Sequence, residues 1–125
     1  FGNVGAHAAL LLAERGIKIV AISDISGSYY NESGISIPEA IRYRDEHQGR
    51  LEGFAEAERI GDGDALLLLP VHLLVPAARE NVITTANAAS IQAKLIVEGA
   101  NGPTVAAADE LIKAKGIVVV PDILA

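Results

Sequence analysis

The chain has 125 residues, no cysteine and a formal net charge of −6 at pH 7, and half of its residues are hydrophobic. A chain of this length forms about one domain, which buries roughly two-thirds of the surface that its unfolded form exposes. The negative charge without a cluster of Lys and Arg argues against a nucleic-acid partner, and the lack of cysteine excludes disulfides, thiolate nucleophiles and cysteine-based zinc sites.

The apolar runs in this sequence are short. The run from Leu66 to Leu69 is far below the ~20 residues that a membrane helix requires, and no signal peptide is visible. We therefore expect no membrane partner and a reducing, cytoplasmic setting. Phe1 is not a plausible translation start, so we expect the sequence to be a fragment or a processed form.

The predicted elements alternate between helices and short apolar strands. The helices are predicted over residues 4–14, 36–47, 62–69 and 104–115, with a further helix after Thr85. The strands are predicted over residues 18–23, 50–54, 71–75, 95–98 and 117–120. Because strands that are joined through helices form parallel sheets, we predict an α/β fold with one doubly wound, mostly parallel sheet over residues 1–125. Such sheets bind ligands at the carboxyl ends of their strands.

Local signals mark several of the boundaries. Gly16 stands where a left-handed cap would end the first helix. Residues 26–34 are rich in turn formers. Ser36, three residues before Glu39, predicts a capping box at the start of the second helix, and Gly49 predicts its end.

The first stretch with a functional signal is FGNVG at residues 1–5. Gly2 and Gly5 are spaced like the last two glycines of GxGxxG, a loop in which glycines let the backbone approach a pyrophosphate at a helix N-terminus. The same spacing also suits a plain helix start. Asp24 lies roughly 20 positions later, at the end of a predicted strand, where an acidic residue accepts hydrogen bonds from the adenosine ribose. An Asp after a strand also forms turns, but the agreement in spacing favours a dinucleotide loop.

Two further stretches follow predicted strands. In VEGANGPT, Asn101 presents an amide, and Gly99 lets the backbone approach a ligand closely. In VPAARENVIT, Ala77 and Ala78 offer small side chains to a flat ring. A strand-to-helix turn explains the first stretch equally well, and ordinary packing explains the second better than a ligand does.

Several stretches together resemble one family. FGNVG, AISDISGSYYN, VPAARENVIT, VEGANGPT and GIVVVPDILA are similar, in one register along the whole chain, to the coenzyme-binding domain of glutamate dehydrogenases. The resemblance implies a Rossmann-type sheet that lacks its usual first strand, with NAD or NADP as the coenzyme. It also implies the interconversion of L-glutamate with 2-oxoglutarate and ammonia.

The site residues that the resemblance implies all bind the coenzyme. They are Gly2, Asn3 and Val4 at the pyrophosphate, Asp24 at the adenosine ribose, Ala77 and Ala78 along the dinucleotide, and Asn101 near the nicotinamide ribose. No catalytic residue is implied, because the lysine and aspartate that act on the substrate in this family belong to a separate domain. The histidines are scattered, so no metal site is predicted.

The choice between NAD and NADP stays open at this point. Asp24 without any Lys or Arg among residues 21–34 favours NAD, because a 2′-phosphate beside a carboxylate and no cation is disfavoured. The pair of Ser23 and Asp24, however, resembles pairs in NADP-using members, where the serine bonds the phosphate.

Two functions remain after this comparison. The first is a coenzyme-binding part of a glutamate dehydrogenase, inert alone and expected in a homo-oligomer. The second is a non-catalytic remnant that folds or self-associates without binding nucleotide. The strand before the glycine loop is central in this fold, so its absence predicts a rearranged sheet, strand exchange with a second copy, or marginal stability. A stand-alone nucleotide sensor has no positive feature in the sequence.

Overall fold

The computed structural model of the chain describes residues 3–77, 83–99, 104 and 106–120. Its contacts divide the chain into two compact units, Phe1–Leu66 and Leu67–Ala125. We call these the amino-terminal unit and the carboxyl-terminal unit, and describe each by itself.

The amino-terminal unit begins with helix α1 (Asn3–Glu14). Gly16 follows the helix at a φ of +84°, and its N–H donates to the carbonyl oxygen of Ala13 over 3.0 Å. Glycine takes this left-handed conformation without the cost that a Cβ would add. The predicted first helix and its glycine cap are confirmed.

Three strands of the amino-terminal unit form an antiparallel sheet in the order β1, β2, β3. They are β1 (Ala21–Asp24), β2 (Gly27–Tyr30) and β3 (Glu58–Gly61). Asp24 pairs with Gly27, which leaves a two-residue turn between β1 and β2. Because so short a turn can join only antiparallel neighbours, the predicted parallel arrangement is wrong for this part of the chain.

Helix α2 (Ile37–Glu46) follows the hairpin. Ser36 is its N-cap residue but makes no side-chain capping hydrogen bond, so the predicted capping box is not formed. Glu39 instead pairs with Arg42, one turn further along the helix surface. Gly49, at a φ of +79°, follows the end of the helix as predicted.

Residues 50–54 do not form the predicted strand. Leu51 and Phe54 are buried, and the N–H of Phe54 donates to the carbonyl oxygen of Leu51 over 2.9 Å, which closes a turn. Leu51 and Phe54 are apolar because their side chains fill the core. A short run with apolar residues also predicts a strand, which explains why the prediction is wrong here. The strand lies later, at β3, where Glu58, Arg59 and Ile60 are exposed.

One hydrophobic core lies within the amino-terminal unit, built from α1, the hairpin, α2 and the turn after α2. Its buried members are Ala6, Ala9, Ile22, Tyr29, Ile35, Ile37, Ala40, Leu51 and Phe54. Full burial of a side chain such as Ile37 or Leu51 stabilises the fold by about 1.5–3 kcal/mol. The hairpin that carries Asp24 is therefore anchored in the core through Ile22 and Tyr29.

The remaining elements confirm much of the prediction for the second half of the chain. A short 3₁₀ helix (Ala65–Leu68) replaces the helix predicted over residues 62–69. Then follow β4 (Leu73–Leu74), α3 (Thr85–Ala88), β5 (Leu95–Val97), α4 (Ala106–Ala114) and β6 (Val118–Val120). Helix α3 starts with a capping box between Thr84 and Asn87.

The carboxyl-terminal unit contains the parallel sheet. Its order is β4, β5, β6, with Leu74 paired to Ile96 and Ile96 paired to Val119. Ile96 is fully buried, as are Ile83, Ile91 and Ile112. The α/β class and a parallel sheet are thus confirmed here. Among the described helices, none is both long and apolar enough to cross a membrane.

Candidate functional site

The predicted site residues differ in what the structure describes of them. Gly2, Ala78 and Asn101 lie outside the described residues. Asn3 and Val4 form the first turn of α1, with only their backbone described. Asp24 ends β1 in the amino-terminal unit, and Ala77 follows β4 in the carboxyl-terminal unit.

Within the part of the chain that the structure describes, the Asp24 carboxylate accepts three hydrogen bonds. Its Oδ1 accepts from the backbone N–H of Ser26 over 2.7 Å and from the Ser26 hydroxyl over 2.5 Å. Its Oδ2 accepts from the backbone N–H of Leu51 over 2.6 Å. The two bonds from Ser26 form the turn that an Asp after a strand favours, whereas the bond from Leu51 ties the hairpin to the chain after α2.

A second hydroxyl extends this network. Tyr29 Oη lies 2.6 Å from Ser26 Oγ. Since the Ser26 hydroxyl gives its single hydrogen to the carboxylate, Tyr29 is the donor in this contact. Tyr29 is 3% exposed, so the two hydroxyl groups connect a buried residue of the core to the partly exposed Asp24.

The network leaves Asp24 with limited accepting capacity. A carboxylate offers about four acceptor positions. Among the described residues, Ser26 and Leu51 take three of these positions, which leaves about one, on Oδ2. Asp24 is partly exposed. The site can therefore accept a hydrogen bond from one hydroxyl or N–H of a ligand.

Arg59 on β3 brings a cation to the same turn. Its Nε donates to the carbonyl oxygen of Ser26 over 3.0 Å. A Cβ on Gly27 would lie 2.6 Å from Arg59 Nε and 2.6 Å from the carbonyl oxygen of Gly61, and Gly27 has a φ of +146°. Only glycine at this position allows the arginine side chain to cross the hairpin.

The sequence indicates only part of this arrangement. Ser26, two residues after Asp24, is a recognisable turn signal. Leu51 and Arg59 lie 27 and 33 residues from their partners in the turn, and no motif connects them. Tyr29 falls in a stretch whose serines and glycines predict a loop. The cation that is missing from residues 21–34 is thus supplied by the neighbouring strand.

In the carboxyl-terminal unit, Ala77 lies at the carboxyl end of the parallel sheet. The N–H of Gly99 donates to the carbonyl oxygen of Pro76 over 3.2 Å, and a Cβ on Gly99 would lie 3.1 Å from Ala77 Cβ. A Cβ at Gly99 would thus crowd Ala77, and packing accounts for a small residue at this position. Close approach to a ligand is not needed to explain it.

Glu98 and Thr104 are also joined at this end of the sheet. The N–H of Glu98 donates to the carbonyl oxygen of Val120 over 2.9 Å, which prolongs the pairing of β5 with β6. Thr104 Oγ1 donates to Glu98 Oε2 over 3.2 Å, and Thr104 also forms a parallel bridge with Ile83. Within the described ranges, no group of three His, Cys, Asp or Glu residues is placed to hold a metal ion.

Comparisons with known proteins agree over the whole chain. Residues 1–125 match the Glutamate/Leucine/Phenylalanine/Valine dehydrogenase family. Glutamate dehydrogenase of Thermotoga maritima is 52% identical over 126 residues, which cover 100% of this chain and 30% of that protein. The NADP-specific glutamate dehydrogenase of Saccharolobus shibatae is 46% identical over 125 residues, which cover 100% of this chain and 29% of that protein.

A solved structure gives the same result for the fold. The crystal structure of the hetero-hexameric glutamate dehydrogenase of Thermus thermophilus matches with a TM-score of 0.88 and 31% sequence identity, over 99% of this chain and 28% of that one. The chain thus spans about three-tenths of the length of these relatives. It belongs to the Glutamate/Leucine/Phenylalanine/Valine dehydrogenase family.

Proposed function

We propose that residues 1–125 form the dinucleotide-binding domain of a glutamate dehydrogenase, of Rossmann type. The observation that carries this proposal is the remaining acceptor position on Asp24 Oδ2, at the carboxyl end of β1, in a chain whose whole length matches the family. A ribose hydroxyl is a donor that suits this position, and in dinucleotide-binding folds an acidic residue that follows a strand binds the ribose.

The start of α1 supports the same ligand. The first N–H groups of a helix have no partner within the helix, and the positive end of the helix dipole faces the same way. We propose that Gly2, Asn3 and Val4 present these groups to the pyrophosphate. Helix α1 begins at Asn3 and runs for 12 residues, long enough for a sizeable dipole.

We propose that the carboxyl-terminal unit contributes Ala77 and Ala78 along the dinucleotide and Asn101 near the nicotinamide ribose. In support, Ala77 follows a parallel strand, and ligands of such sheets bind at that end. The N–H of Gly99, after the neighbouring strand, donates to the carbonyl oxygen of Pro76 and so ties the residue before Ala77 to the end of β5.

The coenzyme is proposed to be NAD, with NADP as the alternative. Arg59 weakens the sequence argument for NAD, because it places a cation at the Asp24 turn. The relative from Saccharolobus shibatae is described as NADP-specific. When bound, the dinucleotide supplies the acceptor for the hydride that leaves L-glutamate. This chain's own part is to bind and orient the dinucleotide.

We further propose that the chain alone is inactive and acts within a homo-oligomer in a cytoplasmic setting. The residues that act on the substrate in this family lie on a separate domain. The comparison structure from Thermus thermophilus is a hetero-hexamer, which supports an oligomer, and the identity of the subunits is part of the proposal. In the whole enzyme the proposed reaction is the oxidative deamination of L-glutamate to 2-oxoglutarate and ammonia.

Calorimetric titration of the purified chain with NADH and NADPH tests the proposal. We expect saturable binding that weakens about tenfold or more in Asp24→Ala, because a hydrogen bond to a charged acceptor contributes roughly 1.5–3 kcal/mol. Asp45→Ala is the matched control, since Asp45 is an exposed carboxylate on α2 that pairs only with its neighbour Arg44 within the described residues. Absence of saturable binding at millimolar ligand would overturn the proposal and favour a remnant that binds no nucleotide.

A further inference from the structure

We propose that Tyr29 is a positioning residue for the coenzyme and acts through Ser26 on the Asp24 carboxylate. This inference rests on the proposed function, because it concerns the same ribose contact. Tyr29, in the core, would thereby orient the partly exposed side chain of Asp24. The sequence alone gives Tyr29 no role beyond its size.

The direction of the hydrogen bonds makes Tyr29 the origin of the network. An ionised carboxylate only accepts, so the Ser26 hydroxyl donates to Asp24 Oδ1. The Tyr29 hydroxyl then donates to the lone pair of Ser26 Oγ over 2.6 Å. Tyr29 thereby adds a second hydrogen bond to the Ser26 hydroxyl and favours the rotation in which its hydrogen points to Asp24.

Tyr29 is suited to this task because it is immobilised. It lies on β2, which pairs with β1 on one side and with β3 on the other, and its register partners are Ile22 and Arg59. Its side chain is 3% exposed. Ser26, in contrast, lies in a two-residue turn. The hydrogen bond from Tyr29 thus couples the turn to the rigid core, and such support is what keeps a binding side chain in its productive geometry.

The hydrogen bond from Tyr29 helps to determine which oxygen of Asp24 accepts from the ligand. With two donors on Oδ1, the remaining acceptor position lies on Oδ2 beside the Leu51 N–H. Without the Tyr29 hydrogen, the Ser26 hydroxyl keeps only its bond to Asp24, and the carboxylate is then held mainly by the backbone N–H groups of Ser26 and Leu51. The ribose hydroxyl would meet a less firmly held acceptor, and binding would weaken.

Two adjacent tyrosines make a matched pair of variants. Tyr30 follows Tyr29 on β2, is half-buried, and its hydroxyl makes no hydrogen bond to any residue that the structure describes. Titration with NADH is expected to give a Kd about two- to tenfold higher for Tyr29→Phe, the effect of losing one hydrogen bond, and no change for Tyr30→Phe. An unchanged Kd in Tyr29→Phe would overturn the inference.

A double-mutant cycle separates positioning from general destabilisation. If Tyr29 acts through Asp24, adding Tyr29→Phe to Asp24→Ala leaves the Kd for NADH unchanged. A role in the stability of the fold alone would instead weaken binding by the same factor in both backgrounds, and that result would contradict the inference.

Amide hydrogen exchange gives a readout that needs no coenzyme. In Tyr29→Phe we expect faster exchange at the amides of Ser26 and Leu51, the two N–H groups bonded to Asp24, with unchanged exchange in α2. Failure of the wild-type chain to bind either NADH or NADPH would refute the proposed function. Unchanged exchange at both amides would refute the positioning role, whatever the titration shows.

Discussion

At the scale of single residues, Asp24 combines a turn and a candidate ligand contact in one carboxylate. Its partner Ser26 is visible in the sequence, because Asp and Ser two residues apart commonly form turns. Leu51 and Arg59 were not predictable, since both come from chain segments whose position depends on how the hairpin and α2 pack. The identity of Asp24 as a candidate therefore follows from the sequence, whereas its geometry does not.

Gly27 provides a test at this scale. We expect Gly27→Ala to destabilise the chain by about 2–4 kcal/mol, because the new methyl group would meet Arg59 Nε and the Gly61 carbonyl oxygen at 2.6 Å in a backbone conformation that disfavours a Cβ.

Gly49→Ala is the control for that variant. Gly49 also has a positive φ, of +79°, but a Cβ there would meet nothing within 4 Å. Only backbone strain of about 1–2 kcal/mol is expected. Urea unfolding compares the two variants, and equal midpoints would show that Arg59 does not constrain the hairpin.

At the scale of elements, a helix or strand can be predicted where its apolar residues form a regular pattern. The strands of the parallel sheet are short apolar runs and are predicted, as are α1, α2 and α4. Strand β2 is missed because Gly27 and Ser28 suggest a loop, although both are buried. Strand β3 is missed because its side chains are mostly exposed, so burial leaves no periodic signal.

The central strand of the parallel sheet supplies the corresponding prediction. Ile96 on β5 is fully buried between β4 and β6, so Ile96→Ala should cost about 2–5 kcal/mol through lost burial and the cavity that remains. Val118→Ala on the edge strand β6, where the side chain is 61% exposed, should stay within about 0.5 kcal/mol of wild type. Thermal unfolding measures both variants, and similar losses would contradict this account of the sheet.

At the scale of the whole molecule, the family follows from the sequence more completely than the architecture does. The stretches that resemble glutamate dehydrogenases are spread along the chain, and the family match covers residues 1–125. The division into two compact units cannot be predicted from the composition, because the boundary between Leu66 and Leu67 does not lie in a linker or a low-complexity stretch. It arises because each unit closes its own set of contacts.

Ligand-linked stability tests the proposed function on the whole chain. A ligand that binds only the folded state at a hundred times its Kd stabilises that state by about 2.7 kcal/mol. We therefore expect the Tm of the purified chain to rise with NADH concentration, and to rise less in Asp24→Ala at the same concentration. A Tm that ignores both NADH and NADPH would contradict the proposal, with Asp45→Ala as the control.

The contacts around the β1–β2 turn also bear on how the protein responds to ionic strength. Arg59 and Asp24 bond backbone and hydroxyl groups of the turn rather than each other. Such short-range bonds are screened little by dissolved ions, whereas exposed pairs such as Lys113 with Asp109 weaken once the screening length falls to about 3 Å in 1 M salt. We therefore expect the hairpin to keep its shape in 1 M salt, where exposed ion pairs on the helix surfaces weaken.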